Sequence, residues 1–185
     1  MLKKIVLFAL AGVVGAGLSG CPGLMPPFDT TGAYEGVFSL GTSDVQIADG
    51  CDISVELSQN INAGPLENAK VTGTVNLSLT CVASGMTKGT PIEDLLDGIL
   101  GQLLGVSPLE VEGVLLPNGT LELSTGDLLA ECPEGGCEKL ILLGQGTDED
   151  GDGKMDSYSG TIGGLVQVSG QIVPLLGEFH TDVTE

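Results

Sequence analysis

Two stretches in which apolar and polar residues strictly alternate constrain the fold of this chain more than any other feature. Residues 51–58 read Cys-Asp-Ile-Ser-Val-Glu-Leu-Ser, and residues 71–81 read Val-Thr-Gly-Thr-Val-Asn-Leu-Ser-Leu-Thr-Cys. Successive side chains of a β-strand point to opposite faces of the sheet. The period of two therefore predicts two strands, each with one face in a core and the other in water.

Antiparallel pairing of these two strands favours one register. If the numbers of paired residues sum to 132, positions 53, 55 and 57 lie opposite 79, 77 and 75, and Cys51 lies opposite Cys81. A slip of one residue would turn a whole apolar row to solvent, so the hydrophobic pattern specifies the register strongly. We therefore predict a Cys51–Cys81 disulfide across the strand pair.

The same period continues along the rest of the chain. Residues 34–40 alternate in the same way, and Pro117-Asn118-Gly119 is a hairpin turn signal, with either Leu115 or Leu116 placed opposite Leu121. Later strand candidates are Lys139–Gln145, Ser157–Ile162, Leu165–Ile172 and Glu178–Val183. Eight or nine short strands with Gly-rich turns predict a mainly all-β fold, an antiparallel barrel or sandwich of about eight strands.

One segment has the period of a helix instead. Between Thr90 and Gly105, apolar residues recur at intervals of three and four, which predicts an amphipathic helix at about residues 91–104. Thr90 and Glu93 form a capping box, and Gly105 suits the C-terminal cap. The helix is expected to close one end of the β-structure, and the alternative is a lid over an apolar cavity.

The N-terminus has the three-part layout of a secretory signal: Lys3 and Lys4, an apolar run, and small residues. Leu18-Ser19-Gly20-Cys21 resembles the lipobox of bacterial lipoproteins. That resemblance implies cleavage after residue 20, a diacylglycerol thioether on Cys21 and an acyl group such as palmitate on its freed amine, which anchor a protein stably. The lipoprotein family usually has Asp after this Cys as its inner-membrane retention signal, so Pro22 implies an outer-membrane location in the cell envelope.

These features divide the chain into a signal peptide (1–20), a Pro-rich tether (21–31) and a single β domain (32–185). Six Lys and Arg stand against 25 Asp and Glu, for a formal net charge of −19. Such a charge excludes nucleic acid as a partner, because phosphate binding needs clustered cations. Contact with a membrane is expected through the N-terminal lipid alone, and divalent cations are the favoured charged partners.

Outside the lipobox, the chain has an even number of cysteines: Cys51, Cys81, Cys132 and Cys137. In an exported protein this predicts two disulfides, the second closing the short loop from Cys132 to Cys137. A zinc site is the alternative, but only that last pair has a typical zinc-ligand spacing. A redox-active pair is a further alternative, although no cation lies beside it to lower a thiol pKa.

The acidic run at residues 148–156, Asp-Glu-Asp-Gly-Asp-Gly-Lys-Met-Asp, is the one constellation with a binding mechanism. Oxygen ligands at every second residue of a tightly turned loop converge on one point, as Ca²⁺ requires. The run resembles the calcium loops of EF-hands, dockerins and thrombospondin type 3 repeats. The resemblance implies four carboxylate ligands and the carbonyl of Lys154: Asp148, Asp150, Asp152 and Asp156. Ser159 stands where EF-hands have a bidentate Glu, so a weak structural Ca²⁺ site is expected, and a solvated acidic turn is the alternative.

These observations predict a lipid-anchored cell-envelope protein with a structural or binding role. Its partner is expected to be an envelope protein or a small apolar ligand, and the main alternative is a lipocalin-like or avidin-like carrier of such a ligand. Enzymatic activity is not expected, because His180 is the only imidazole and no nucleophile motif accompanies it.

Overall fold

The computed structural model describes residues 25–42, 46–64, 67–84, 108–126, 140–168 and 171–184. The described residues form eight strands and one short helix, α1 (Leu79–Ser84). The strands are β1 (Gly32–Gly41), β2 (Gln46–Gln59), β3 (Lys70–Leu77), β4 (Leu109–Leu115), β5 (Thr120–Thr125), β6 (Leu140–Thr147), β7 (Ser157–Val168) and β8 (Gln171–Val183). They form one closed antiparallel barrel, in which each strand pairs with its neighbours along the chain and β8 pairs with β1. The predicted all-β architecture is confirmed, in its barrel form.

Up-and-down connectivity gives the barrel two different ends. The proximal end carries residues 25–31, the β2–β3, β4–β5 and β6–β7 connections, and the end of β8. The distal end carries the ends of β1, β3, β5 and β7 and the starts of β2, β4, β6 and β8. Closure of the sheet leaves no unpaired edge strand between the two ends.

The predicted register of β2 against β3 is wrong by two residues. Val55 pairs with Val75 and Ile53 with Leu77, so partner numbers sum to 130. The strand ends at Leu77, and the chain then turns into α1. The buried face is the predicted one, because a shift of two residues preserves the face on which each side chain lies.

Two further strand assignments are decided by the structure. In the β4–β5 hairpin Leu115 pairs with Leu121, which leaves Leu116 in the loop with Gly119 at φ 83°. The predicted separate strands at 157–162, 165–172 and 178–183 are in fact the two long strands β7 and β8, which pair without a break from Ser157 to Val168. Gly163 and Gly164 continue β7 opposite Leu176 and Leu175, and the chain reverses between Val168 and Gln171.

Glycines at inward-facing positions let neighbouring strands approach closely. A Cβ on Gly36 would collide with the backbone carbonyl of His180 on β8, and one on Gly113 would collide with that of Glu122 on β5. Four other inward glycines meet a neighbouring strand's backbone in the same way: Gly73, Gly144, Gly160 and Gly177. Glycine at such positions permits the strong bending that a small barrel requires.

Side chains fill the described part of the barrel interior. Eleven large side chains there are less than 2 % exposed, including Tyr34, Tyr158 and Met155. Tyr158 lies edge-on to Phe179, with ring centroids 4.7 Å apart. A cavity of ligand size would leave accessible area on the side chains around it, so this part of the interior is a packed core. Eight strands can enclose either such a core or one small ligand.

Several predicted features lie outside the described residues. They are the leader 1–20, the lipidation site Cys21, the helix at about 91–104 and the Cys132–Cys137 pair. Within the described ranges, no helix has the length and apolar character needed to cross a bilayer.

Candidate metal-binding loop

The acidic run forms the connection between β6 and β7 at the proximal end. The flanking residues Thr147 and Ser157 are the last pair of the β6–β7 ladder. Gly151 and Gly153 have φ values of 78° and 84°, a left-handed conformation that glycine adopts without steric cost. These two glycines let nine residues return tightly on themselves between paired strands.

Among the described residues, three carboxylates come together in this loop. One oxygen from each of Asp148, Asp150 and Asp156 lies within 4.8 Å of the others. Asp152, which the calcium-loop pattern also predicts as a ligand, does not belong to this group. Ser159, at the position of the EF-hand glutamate, lies within β7 opposite Gln145.

The same carboxylates also accept hydrogen bonds from the loop backbone. Asp148 accepts from the N–H groups of Gly151 (2.7 Å) and Gly153 (3.0 Å) through its two oxygens. Oδ2 of Asp156 accepts from the N–H of Glu149 at 2.6 Å. Since one carboxylate oxygen accepts more than one interaction, these bonds hold the loop in shape and leave lone pairs for a cation.

Asp152 has a different role. Its Oδ1 accepts a hydrogen bond from the N–H of Lys154 at 2.8 Å, while its own N–H donates to Oδ1 of Asp150 at 2.9 Å. The side chain of Lys154 is exposed, and its backbone forms a short parallel bridge with Asp29. Asp152 thus supports the loop through backbone hydrogen bonds and is not one of the three grouped carboxylates.

The loop is anchored to the barrel by its one apolar residue. Met155 is 1 % exposed, and its N–H donates to the carbonyl of Asp29 at 2.9 Å. Asp29 donates its own N–H to the carbonyl of Gly153 at 2.9 Å. Met155 also accepts a hydrogen bond at its carbonyl from the hydroxyl of Tyr34 at 3.2 Å. The segment before β1 and the acidic loop therefore hold each other in place.

The residues just before β1 pack against the proximal end. Phe28 is 9 % exposed and Thr30 is fully buried, although the sequence places both in the tether. Thr30 donates its N–H and its hydroxyl to Oε1 of Gln59, at 2.8 and 3.0 Å. The buried core of the domain thus extends back along the chain to Phe28.

The two tyrosines are buried acids whose pKa values are raised. Burial raises the pKa of Tyr34, and the carboxylates of Asp29 and Asp156 raise it further. Burial also raises the pKa of Tyr158, with a smaller effect from Glu122. Both hydroxyls donate to backbone carbonyls, that of Tyr158 to Leu121 and Leu142. The phenols stabilise the barrel in their neutral form.

The sequence did not indicate the contacts of Asp29, Met155 and Tyr34. The only local signal was Met155 itself, an apolar residue inside an acidic run. An apolar side chain at such a position tends to be buried.

His180 lies on the outer face of β8, 3.3 Å from a carboxylate oxygen of Asp182, and both side chains are more than half exposed. His180 is therefore a surface residue of the barrel wall.

Comparison with protein-family models, with curated proteins and with solved structures finds no match to this chain.

Proposed function

We propose that this chain is a lipid-anchored protein of the bacterial cell envelope, in which a packed β-barrel has a structural or binding role and a hairpin loop binds Ca²⁺ weakly. The observation that carries the calcium part is the approach of three carboxylate oxygens to within 4.8 Å in the 148–156 loop. The anchoring part rests on the lipobox and on the position of the barrel relative to Cys21.

Two features support lipid anchoring through Cys21. The strands begin at Gly32, so the lipidation site precedes the barrel without being part of it. The confirmed disulfide between Cys51 and Cys81 fits a protein that matures outside the reducing cytosol.

The packed interior favours a structural or surface-binding role over transport of a ligand inside the barrel. Two grooves lined by described residues, of about 680 and 390 Å³, lie on the outer wall. Native mass spectrometry of the purified protein checks this choice. A stoichiometric apolar adduct would support the carrier alternative and contradict a packed barrel.

The donor set of the loop suits a hard divalent cation. Asp148, Asp150 and Asp156 would hold the ion, and water or backbone carbonyls would supply the remaining oxygens of a shell of six to eight. Ca²⁺ would relieve the repulsion between carboxylates that the fold holds close together. With only three grouped carboxylates, we expect an affinity of the extracellular kind, about 10⁻⁴ to 10⁻³ M.

Calorimetric titration of the metal-free protein with Ca²⁺ tests the site. Asp150→Asn removes one grouped charge but keeps the oxygen that accepts from Asp152, and should weaken binding by about tenfold, roughly 1.4 kcal/mol. Glu149→Gln is the matched control, because it removes a neighbouring charge outside the group and should change the affinity little. Absence of heat in the wild type, or equal loss in both variants, would contradict a defined site.

Membrane fractionation tests the anchor. The wild-type protein expressed in a bacterium should sediment with membranes and stay there after a high-salt wash, because acyl chains hold a protein independently of ionic strength. Cys21→Ser should be recovered in the soluble fraction. Recovery of both proteins in the same fraction would overturn the anchoring proposal.

A further inference from the structure

The chain enters the barrel at one defined end. Phe28 is buried there, and Asp29 exchanges backbone hydrogen bonds with Gly153 and Met155 of the acidic loop. Even Met25 contacts this end, since its sulfur accepts a hydrogen bond from Nδ2 of Asn68 at 3.5 Å. The last part of the tether is therefore fixed at the proximal end.

The chain between this contact and Cys21 is short. Cys21 and Met25 are four residues apart, which spans at most about 14 Å when fully extended. Strands of this barrel rise about 3.3 Å per residue and tilt by roughly 40°, so its two ends are about 20 to 30 Å apart. A lipid on Cys21 can therefore lie beside the proximal end. It could reach the distal end only if the residues before β1 left their packed positions.

We propose that the proximal end faces the lipid bilayer that holds Cys21, and that the distal end points away from the membrane toward partners in the aqueous space. This orientation rests on the proposed acylation of Cys21. It places the acidic loop beside the lipid headgroups. It also places the ends of β1, β3, β5 and β7, together with α1, on the side open to other molecules.

Two glycines allow the orientation to be measured. Gly64 at the proximal end and Gly126 at the distal end are both exposed, and a Cβ at either position meets nothing within 4 Å. Gly64→Cys and Gly126→Cys are therefore a matched pair for nitroxide labelling of the full-length lipidated protein in phosphatidylcholine vesicles. Nickel-chelating lipids in the same vesicles relax a spin label that lies near the bilayer surface.

The orientation predicts relaxation several-fold stronger at position 64 than at position 126. The parent chain, taken through the same labelling, gives the background. Equal relaxation at both sites, or stronger relaxation at 126, would overturn the orientation. The intact mass of the same sample separates the two proposals: with acylated Cys21, such a result overturns the orientation alone, whereas an unmodified Cys21 overturns the proposed function and the orientation with it.

A variant with a longer tether tests whether the short tether is what orients the barrel. A Gly/Ser insert of about 20 residues between Leu24 and Met25 adds an average reach of roughly 25 Å and leaves every packed residue in place. The difference between the two labels should then largely disappear. If the relaxation at positions 64 and 126 still differed, tether length would not be what orients the barrel, and the proposed cause would be wrong.

Discussion

Cys51 and Cys81 are joined by a disulfide with their Cα atoms 5.6 Å apart, although the two residues are not paired in the sheet. Cys51 lies within β2 opposite Phe38, whereas Cys81 lies in α1, beyond the end of β3. The N–H of Ser78 donates to the carbonyl of Asp52 at 2.9 Å and keeps the start of the helix against β2. The bond therefore ties α1 to the barrel wall near the distal end.

Removing this disulfide should destabilise the barrel substantially. The two cysteines are 30 residues apart, and closing a loop of that length stabilises a folded chain by roughly 3 to 4 kcal/mol through the unfolded state. Denaturant unfolding of the Cys51→Ala, Cys81→Ala double variant should show a loss of that order. If a reducing agent lowers the stability of this double variant further, that loss comes from other cysteines. A wild-type and a variant protein with the same midpoint would contradict a stabilising bond.

Alkaline pH should unfold the barrel through its tyrosines. The folded state raises the pKa of Tyr34 and of Tyr158 above the ordinary value of 10, so it keeps protons that the unfolded chain releases. The free energy of unfolding must then fall as pH rises above about 10. These are the only two tyrosines and the chain has no tryptophan, so phenolate absorbance reports on them alone. We expect that absorbance to appear together with unfolding, and independent titration near pH 10 would contradict their burial.

A methyl group on an inward glycine should disrupt the wall of the barrel. In Gly36→Ala the Cβ would overlap the carbonyl of His180 on β8, and relief requires the β1–β8 seam to shift. We expect a loss of about 2 kcal/mol or more in the free energy of unfolding. Gly126→Ala adds the same methyl in open space and should change stability by less than about 0.5 kcal/mol. Equal stability of the two variants would refute the close approach.

Truncation of Phe28 should show that the segment before β1 belongs to the folded domain. Phe→Ala at a buried site costs about 3 to 5 kcal/mol, and Phe28 is only 9 % exposed. Met25→Ala, at a side chain 60 % exposed, is the control and should have a small effect. Thermal unfolding of both variants gives the comparison. A harmless Phe28→Ala would mean that residues 25–31 act only as a tether.

The alternating pattern predicted the faces of the strands but not their pairing. Registers summing to 132 and to 130 both bury Val55 and Val75, so the hydrophobic pattern cannot distinguish them. The Ser78–Asp52 hydrogen bond continues the register of 130 beyond the last strand pair. The predicted disulfide is confirmed even so, because α1 holds the Cα of Cys81 5.6 Å from that of Cys51.

The sequence predicts the acidic loop of the candidate site but not its contacts with distant segments. Acidic residues with Gly151 and Gly153 at turning positions indicate a tight ligand loop from the sequence itself. The separation of Asp152 from the other carboxylates depends on backbone hydrogen bonds within the folded loop. The contacts of Met155 with Asp29 and Tyr34 join segments more than 100 residues apart, which a local pattern cannot reveal.

Mass spectrometry of the N-terminal peptide from the membrane-bound protein is the decisive test of lipid anchoring. The mature chain should begin at Cys21 and carry a diacylglyceryl group on its sulfur and an acyl chain on its amine. A chain that retains residues 1–20, or that begins at an unmodified Cys21, would contradict it.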